Sequence, residues 1–174
     1  MKAIENSKNA FGLFQKYSEY VDCIGNVREE IIRDAEQALA IKFPPSYYLF
    51  LLKYGCCGFF ASEFYGIMDA DFINSSAPDA IWYTLTERKQ FQLPHKYIIV
   101  GDPGYGPLDA IDTSKPDENG ECPVMMIDIN DEDPVTKEKE WYEMEQLAPD
   151  FGTYLYNQSK QALQNAIDNG DVEG

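Results

Sequence analysis

The chain has 174 residues, of which 44% are hydrophobic and 14% aromatic, enough to fill one core and too few for two. It carries 14 Lys and Arg residues against 30 Asp and Glu residues, which gives a formal net charge of -16. So acidic a chain repels phosphate backbones and anionic lipids, which disfavours direct binding to nucleic acid or membranes and favours a basic protein partner.

The N-terminal residues predict an amphipathic helix. Phe11, Phe14, Tyr17 and Val21 recur at helical spacing between polar residues, and we expect the helix to end before Gly25. The first residues lack the apolar run of a signal peptide, and no window approaches the roughly 20 apolar residues of a membrane span. These patterns predict a cytoplasmic protein.

A helical hairpin is predicted next. Asn26 is placed to cap the first helix, with Glu29 closing a capping box. Pro44-Pro45 prevents that helix from continuing, Ser46 is placed to cap the second helix, and Gly55 is placed to end it in a left-handed conformation. The predicted apolar stripe of the first helix is Ile31, Ala35, Ala38 and Leu39.

The second half of the chain predicts strands and two more helices. Aromatic residues within 59–67 favour a strand, Asp79 is placed to cap a helix over 80–91, and a last helix is predicted from Asp150. Short β-branched or aromatic segments between turn residues predict an antiparallel meander. These segments are Tyr97–Gly101, Leu108–Asp112, Val124–Ile129 and residues 140–144.

This order of elements predicts an α+β fold. We expect a mostly antiparallel sheet with helices packed on one face, an N-terminal helical hairpin and a C-terminal helix. The other face of the sheet would stay open for a partner. A single domain is predicted over 1–168, followed by an acidic C-terminal tail over 169–174.

One run of residues resembles a known family signature. It reads Glu36-x-x-Leu39-Ala40-x-x-Phe43-Pro44-x-x-Tyr47, then Phe50-Leu51-x-x-Tyr54-Gly55, and later Tyr65-Gly66. Further matching segments follow in the family's order, among them Leu93-Pro94, Leu108-Asp109-Ala110 and Gly120-Glu121-Cys122-Pro123. The chain resembles the SUKH superfamily, the Smi/Knr-type domain. It departs from the pattern at Ala40, where relatives often have Gly, and at Cys56-Cys57, where they often have a Gly-rich turn.

The resemblance implies a protein that binds another protein. Bacterial members of the superfamily are mostly immunity proteins that neutralise secreted toxins. On this interpretation the partner is a cognate toxin domain, a basic nuclease, whose substrate surface an acidic patch covers. Eukaryotic relatives act in cell-wall control and bind several signalling proteins, so a regulatory scaffold or adaptor is the alternative.

The candidate partner-binding residues are carboxylates that occur near aromatic side chains. Rigid aromatic anchors within an acidic patch are typical of a tight interface with a basic partner. One group follows the hairpin, a second lies on the predicted sheet, and a third lies at a strand end. The candidates are Glu63, Tyr65, Asp69, Asp71, Asp102, Tyr105, Asp109, Asp112, Asp128, Asp131, Glu132 and Asp133.

We predict no catalytic residues, no metal site and no cofactor. A hydrolase would have to build its catalytic set around His95, the single histidine. The acidic run from Asp128 begins like a calcium loop, but Asp133 stands where the turn needs Gly and Lys139 where a bidentate carboxylate belongs. The four cysteines have no framework spacing, and we expect them to be reduced.

Overall fold

Five α-helices and seven β-strands make up the part of the chain described by the computed structural model, residues 2–130 and 140–172. The strands form two antiparallel sheets, with strand orders β1-β2-β3 and β4-β5-β6-β7. The predicted α+β class is confirmed. The helices are α1 (Lys2–Lys16), α2 (Glu29–Leu39), α3 (Pro45–Tyr54), α4 (Ala80–Phe91) and α5 (Phe151–Asp168). The strands are β1 (Val21–Cys23), β2 (Cys57–Phe59), β3 (Ser62–Phe64), β4 (Tyr97–Gly101), β5 (Leu108–Asp112), β6 (Val124–Ile129) and β7 (Trp141–Ala148).

Two of the predicted helix caps are confirmed. Asp79 accepts hydrogen bonds from the amides of Ile81 and Trp82 at 3.0 and 2.8 Å and so begins α4. Asp150 accepts a bond from the amide of Thr153 at 2.6 Å and begins α5. Both caps use only neighbours in the chain, so the sequence was sufficient to predict them.

The predicted capping box of α2 is wrong. The helix begins at Glu29 with Arg28 at its N-cap, and no side chain caps it. The amide of Val27 instead donates to the carbonyl of Leu51 on α3 at 3.3 Å, which ties the preceding residues to the hairpin partner. The buried stripe is accordingly shifted by one position at its start. Its buried apolar residues are Ile32, Ala35 and Leu39, whereas Ile31 is half-buried and Ala38 exposed.

Ser46 does not cap α3 as predicted. The helix starts at Pro45, so Ser46 lies in its first turn. Its amide and its hydroxyl both donate to the carboxylate of Glu121, at 2.9 and 2.6 Å, while the amide of Gly152 donates to the Ser46 hydroxyl at 3.2 Å. This buried cluster links α3 to the start of α5 and to the loop before β6.

The separate parts of the sequence signature meet in space. Gly55 ends α3 with a φ of 68°, as predicted, and its carbonyl accepts a bond from the amide of Ile67 at 3.0 Å. A Cβ at Gly66 would overlap the carbonyl of Gly55, so only glycine allows this close backbone approach. The Tyr47 hydroxyl also donates to the carbonyl of Tyr65 at 3.2 Å. The signature therefore encodes the junction between the hairpin and the residues after β3.

Both faces of the central strands are covered. Every residue of β4 and β5 is buried. Ile98 and Val100 belong to the larger core with α3 and α5, while Tyr97 and Ile99 belong to a second cluster that includes Ala80 of α4. The expected open sheet face is therefore wrong for these strands, because α4 packs on the side that α5 leaves uncovered.

Two further strand predictions need correction. The strand expected within 59–67 is a short hairpin, in which β2 ends at Phe59 and β3 begins at Ser62. The last strand of the meander, expected over 140–144, is β7 and continues to Ala148. The predicted bounds of β4, β5 and β6 are confirmed. A register shift between Ile99 and Gly101 ends β4 with a bulge, beside the clefts described below.

Candidate functional site

A cleft of about 210 Å³ lies between β3, the end of β4, β5 and α5. It is the first of two clefts on this side of the molecule, and we call it the Asp109 cleft. Three carboxylates from separate elements line it, together with aromatic side chains. The lining includes Glu63, Asp102, Asp109, Phe64, Tyr154 and Gly101. The fold thus brings together three of the residues that the sequence analysis selected.

Only one of the two carboxylate oxygens of Asp109 has a hydrogen-bond donor among the described residues. The residue is only 7% exposed, and its Oδ2 accepts a hydrogen bond of 2.7 Å from the Tyr154 hydroxyl. Its Oδ1 is buried and accepts no hydrogen bond from any residue that the structure describes. Burial raises the pKa of Asp109, the bond from Tyr154 opposes that effect, and the negative charge of Asp102 adds to it.

Gly101 allows the wall of the Asp109 cleft to form. A Cβ at this position would lie 2.8 Å from the Tyr154 hydroxyl oxygen and 3.4 Å from Asp109 Oδ2. A side chain would therefore displace the hydroxyl from the carboxylate or push both side chains outward. The bulge that ends β4 at this glycine brings the backbone close to the Tyr154–Asp109 pair.

A second cleft of about 310 Å³ lies on the other side of Asp102. We call it the Asp128 cleft. Asp102 lines both clefts and is fixed between them, because the Tyr83 hydroxyl donates to its Oδ2 at 3.0 Å and the Gly104 amide to its Oδ1 at 2.8 Å. Burial, followed by the charge of Asp102, raises the pKa of Glu87 in this cleft. The other lining side chains include Asp128, Phe91 and Trp141.

Neither cleft contains a cation from the part of the chain that the structure describes. Among residues 2–130 and 140–172, no Lys, Arg or His side chain lines either cleft. The ion pairs formed within the same ranges leave out all five lining carboxylates, namely Glu63, Glu87, Asp102, Asp109 and Asp128. Within the described residues the carboxylates of the two clefts have no balancing cation, an arrangement that favours a positively charged partner.

The sequence comparison agrees with the fold. A family model described as "SUKH_6: SMI1-KNR4 cell-wall" matches residues 29–155, which is most of the chain. The chain belongs to the SUKH family. The resemblance seen in the sequence is thereby confirmed, and the matched range includes the lining carboxylates of both clefts. No curated protein matches the chain.

Membership in the SUKH family sets the general class of function. The family is consistent with an immunity-type role and with protein–protein interaction, and its members are in general not enzymes. The part of the chain that the structure describes contains no helix that meets the length and hydropathy of a bilayer-spanning segment.

Asp112 of the SUKH domain is a structural residue. It is fully buried, and the ammonium groups of Lys96 and Lys115 lie 3.1 and 3.0 Å from its Oδ2. Burial acts to raise its pKa, but hydrogen bonds from Ser114, Lys115 and Lys96 outweigh burial and hold the pKa well below its usual range. Both lysines also contact Glu143. The prediction that Asp112 contacts a partner is therefore corrected.

The other predicted site residues are dispersed. Tyr65 is buried in the second core cluster, where its ring packs against Tyr83, and burial followed by the charges of Asp102 and Glu63 raises its pKa to about 12. Tyr105 is 66% exposed in the loop between β4 and β5. Asp69 and Asp71 line neither cleft, and Asp71 accepts bonds from the amides of its own turn. Asp131, Glu132 and Asp133 lie outside the described residues.

Tyr83, Glu87 and Tyr154 are among the cleft side chains that were not predicted from the sequence. Tyr83 and Glu87 are four residues apart on α4, and Tyr154 lies one turn into α5. The i, i+4 spacing of Tyr83 and Glu87 was a usable signal, since it places both on one helix face. No local pattern indicated that Tyr154 would meet Asp109, because 45 residues separate the two in the chain.

The described residues contain no arrangement of three or more His, Cys, Asp or Glu side chains suited to a metal ion. Their four cysteines are free thiols, three of them buried. Burial raises the pKa of Cys56 and of Cys122 to about 11, which keeps both largely protonated at neutral pH. His95 lies in the turn before β4, and its carbonyl accepts a bond from Arg88.

Proposed function

We propose that this SUKH protein is an immunity protein that binds and neutralises a cognate toxin domain. The observation that carries the proposal is the pair of acidic clefts in a family consistent with such a role. Their carboxylates have no cation from the described part of the chain, so a basic partner would supply the missing positive charge.

A nuclease toxin fits this chemistry. Its substrate surface must be basic in order to hold nucleic acid, and an acidic protein placed over that surface blocks the substrate. The net charge of -16 would accelerate association through long-range attraction, and the partly buried clefts would slow dissociation by desolvating the central contacts. Neutralisation then requires binding alone.

The proposal is tested by co-expression with the toxic C-terminal domain encoded by the neighbouring gene. We expect rescue of growth and co-purification of the two proteins at fixed stoichiometry. Stopped-flow measurement should show an association rate that falls steeply as the salt concentration rises from about 50 to about 500 mM, a range that includes physiological ionic strength. Rescue without a complex, or a complex without rescue, would contradict neutralisation by binding.

The alternative is a regulatory adaptor. The family description refers to the cell wall, and an adaptor would bind several proteins weakly rather than one tightly. Affinity measurements against a panel of toxin domains separate the two functions. One tight complex with a single toxin supports the immunity function, whereas uniformly weak binding to several proteins supports the adaptor.

A further inference from the structure

The unsatisfied oxygen of Asp109 points to a ligand. A buried carboxylate oxygen that lacks a donor is unfavourable, and native proteins rarely keep one without a reason. Here the side chain is only 7% exposed, its Oδ1 accepts no bond from the described residues, and its Oδ2 is fixed by Tyr154. Asp109 lines an open cleft, and its Oδ1 is covered in the free protein, so a donor that enters the cleft reaches this oxygen once the covering side chains shift.

The carboxylates around Asp109 favour a positively charged ligand in this cleft. Glu63 comes from β3 and Asp102 follows β4, so three carboxylates approach the cleft from three directions. The Asp102 charge acts on Asp109 strongly enough to contribute to the raised pKa of that group. No cationic side chain of the described chain lines the cleft. A positively charged group that entered would relieve the repulsion between Asp102 and Asp109.

We propose that the Asp109 cleft binds the guanidinium group of an arginine side chain inserted by the protein partner. The inference rests on the proposed function, since it names the chemical group by which the partner is recognised. A guanidinium group has five N–H donors in a fixed plane, which suits carboxylates arriving from separate elements better than a compact ammonium does.

The first test uses a model compound and the isolated protein. Nα-acetyl-L-arginine methylamide is titrated into the ¹⁵N-labelled protein and followed by amide chemical shifts, with the corresponding lysine compound as the comparison. We expect saturable shifts at Glu63, Gly101 and Asp109, and several-fold weaker binding of the lysine compound. Shifts spread evenly over the exposed acidic residues, or equal affinity for the two compounds, would overturn the proposal.

Two variants locate the binding. Asp109→Asn should weaken arginine binding about tenfold, because it removes a charge-assisted hydrogen bond. Glu118→Gln is the matched control: it removes one negative charge at an exposed position that lines neither cleft, and it should leave the affinity unchanged. Gly101→Ala keeps every charge but displaces the Tyr154 hydroxyl, so it should also weaken binding. Unchanged affinity in both cleft variants would overturn the proposal.

The affinity of the toxin complex shows whether the guanidinium group comes from the partner or from a free compound. If Asp109→Asn weakens the complex as well as arginine binding, the partner's arginine enters the cleft, as proposed. If the variant weakens arginine binding and leaves the complex unchanged, the cleft binds a free guanidinium compound, and the proposal that the partner inserts an arginine is wrong. If arginine binds at Asp109 but no toxin forms a complex, the proposed function fails while the guanidinium site stands.

Discussion

Asp109 and Asp112 are two buried aspartates on the same short strand, and their environments are opposite. Lys96 and Lys115 surround Asp112, whereas Asp109 receives one hydroxyl bond and faces other carboxylates. The pKa of Asp112 is lowered by its hydrogen bonds despite burial, and the pKa of Asp109 is raised by burial. A buried acid paired with cations of the fold is stabilised by them, whereas the buried acid at the cleft has no such pairing among the described residues.

The residue spacing along β5 explains how one strand supports both environments. Successive side chains of a strand point to opposite faces, so residues three apart lie on different sides of the sheet. Asp109 faces Tyr154 of α5. Asp112 lies at the other end of β5, where it pairs in register with Tyr97. There the Lys96 ammonium contacts the Asp112 carboxylate, and the Tyr97 hydroxyl donates to Glu143. Only two residues of β5 therefore separate an acid that is paired within the fold from one that lines a cleft.

The largest expected effect comes from removing the structural acid. Asp112→Asn should lower the free energy of unfolding by about 2 kcal/mol, because Lys96 and Lys115 lose the carboxylate that both contact. Urea unfolding followed by circular dichroism measures the change, with Glu118→Gln as the control for net charge. A loss below about 0.5 kcal/mol, within the range typical of exposed pairs, would remove the contrast between the two aspartates.

A change of opposite sign is expected at Asp109. Asp109→Asn should raise the free energy of unfolding at pH 7 by about 1 kcal/mol, because it removes a buried negative charge that no cation of the described residues balances. The same urea measurement serves. A destabilised variant would show that the bond from Tyr154 makes Asp109 structural, and the two aspartates would then belong to one class.

The two aspartates should also respond differently to acid. The raised pKa of Asp109 means that the unfavourable ionised form is present above that pKa and is neutralised as the pH falls towards the usual carboxyl range. The stabilising effect of Asp109→Asn should therefore shrink on acidification. The lowered pKa of Asp112 means that its stabilising contribution is complete above the usual carboxyl range, declines as the pH falls through that range and is lost only well below it.

The difference is measured from the free energy of unfolding of the wild type and both variants at pH values from about 7 to about 3, a range that includes the usual carboxyl pKa. The groups facing Asp109 that titrate or carry charge are Tyr154, Asp102 and Glu63. Asp102→Asn is the control for coupling between neighbouring acids, and it should lower the pKa of Asp109. Parallel pH profiles for Asp109→Asn and Asp112→Asn would contradict the assigned difference.

The smallest effect is expected from the lysines. Lys115 is half exposed, whereas 35% of the Lys96 side chain is accessible. Lys115→Met should cost about 0.5 kcal/mol, because exposed ion pairs contribute little, and Lys96→Met should cost more. Thermal unfolding in low and in high salt measures both variants. A larger loss from Lys115→Met than from Lys96→Met would show that solvent access does not rank the two ion pairs.

Local sequence signals predicted part of this fold well. The caps Asp79 and Asp150 could be predicted from the sequence because each aspartate accepts hydrogen bonds from amides only two or three residues away. Asn26 and Ser46 had the same chemical signal and do not cap: α2 begins only at Glu29, and the Ser46 hydroxyl donates to Glu121. A cap predicted from sequence therefore fails where the helix begins at another residue or where a distant residue binds the capping side chain.

The sequence by itself determined the α+β class, the SUKH family, the strands of the meander and the strong excess of acidic residues. The tertiary structure alone decided which acids are neutralised within the fold and which line a cleft without a cation. The physical reason is that a carboxylate's state depends on charges a few ångströms away in space, and these come from residues distant in the chain. Asp112 meets Lys96, and Asp109 meets Tyr154 and Asp102.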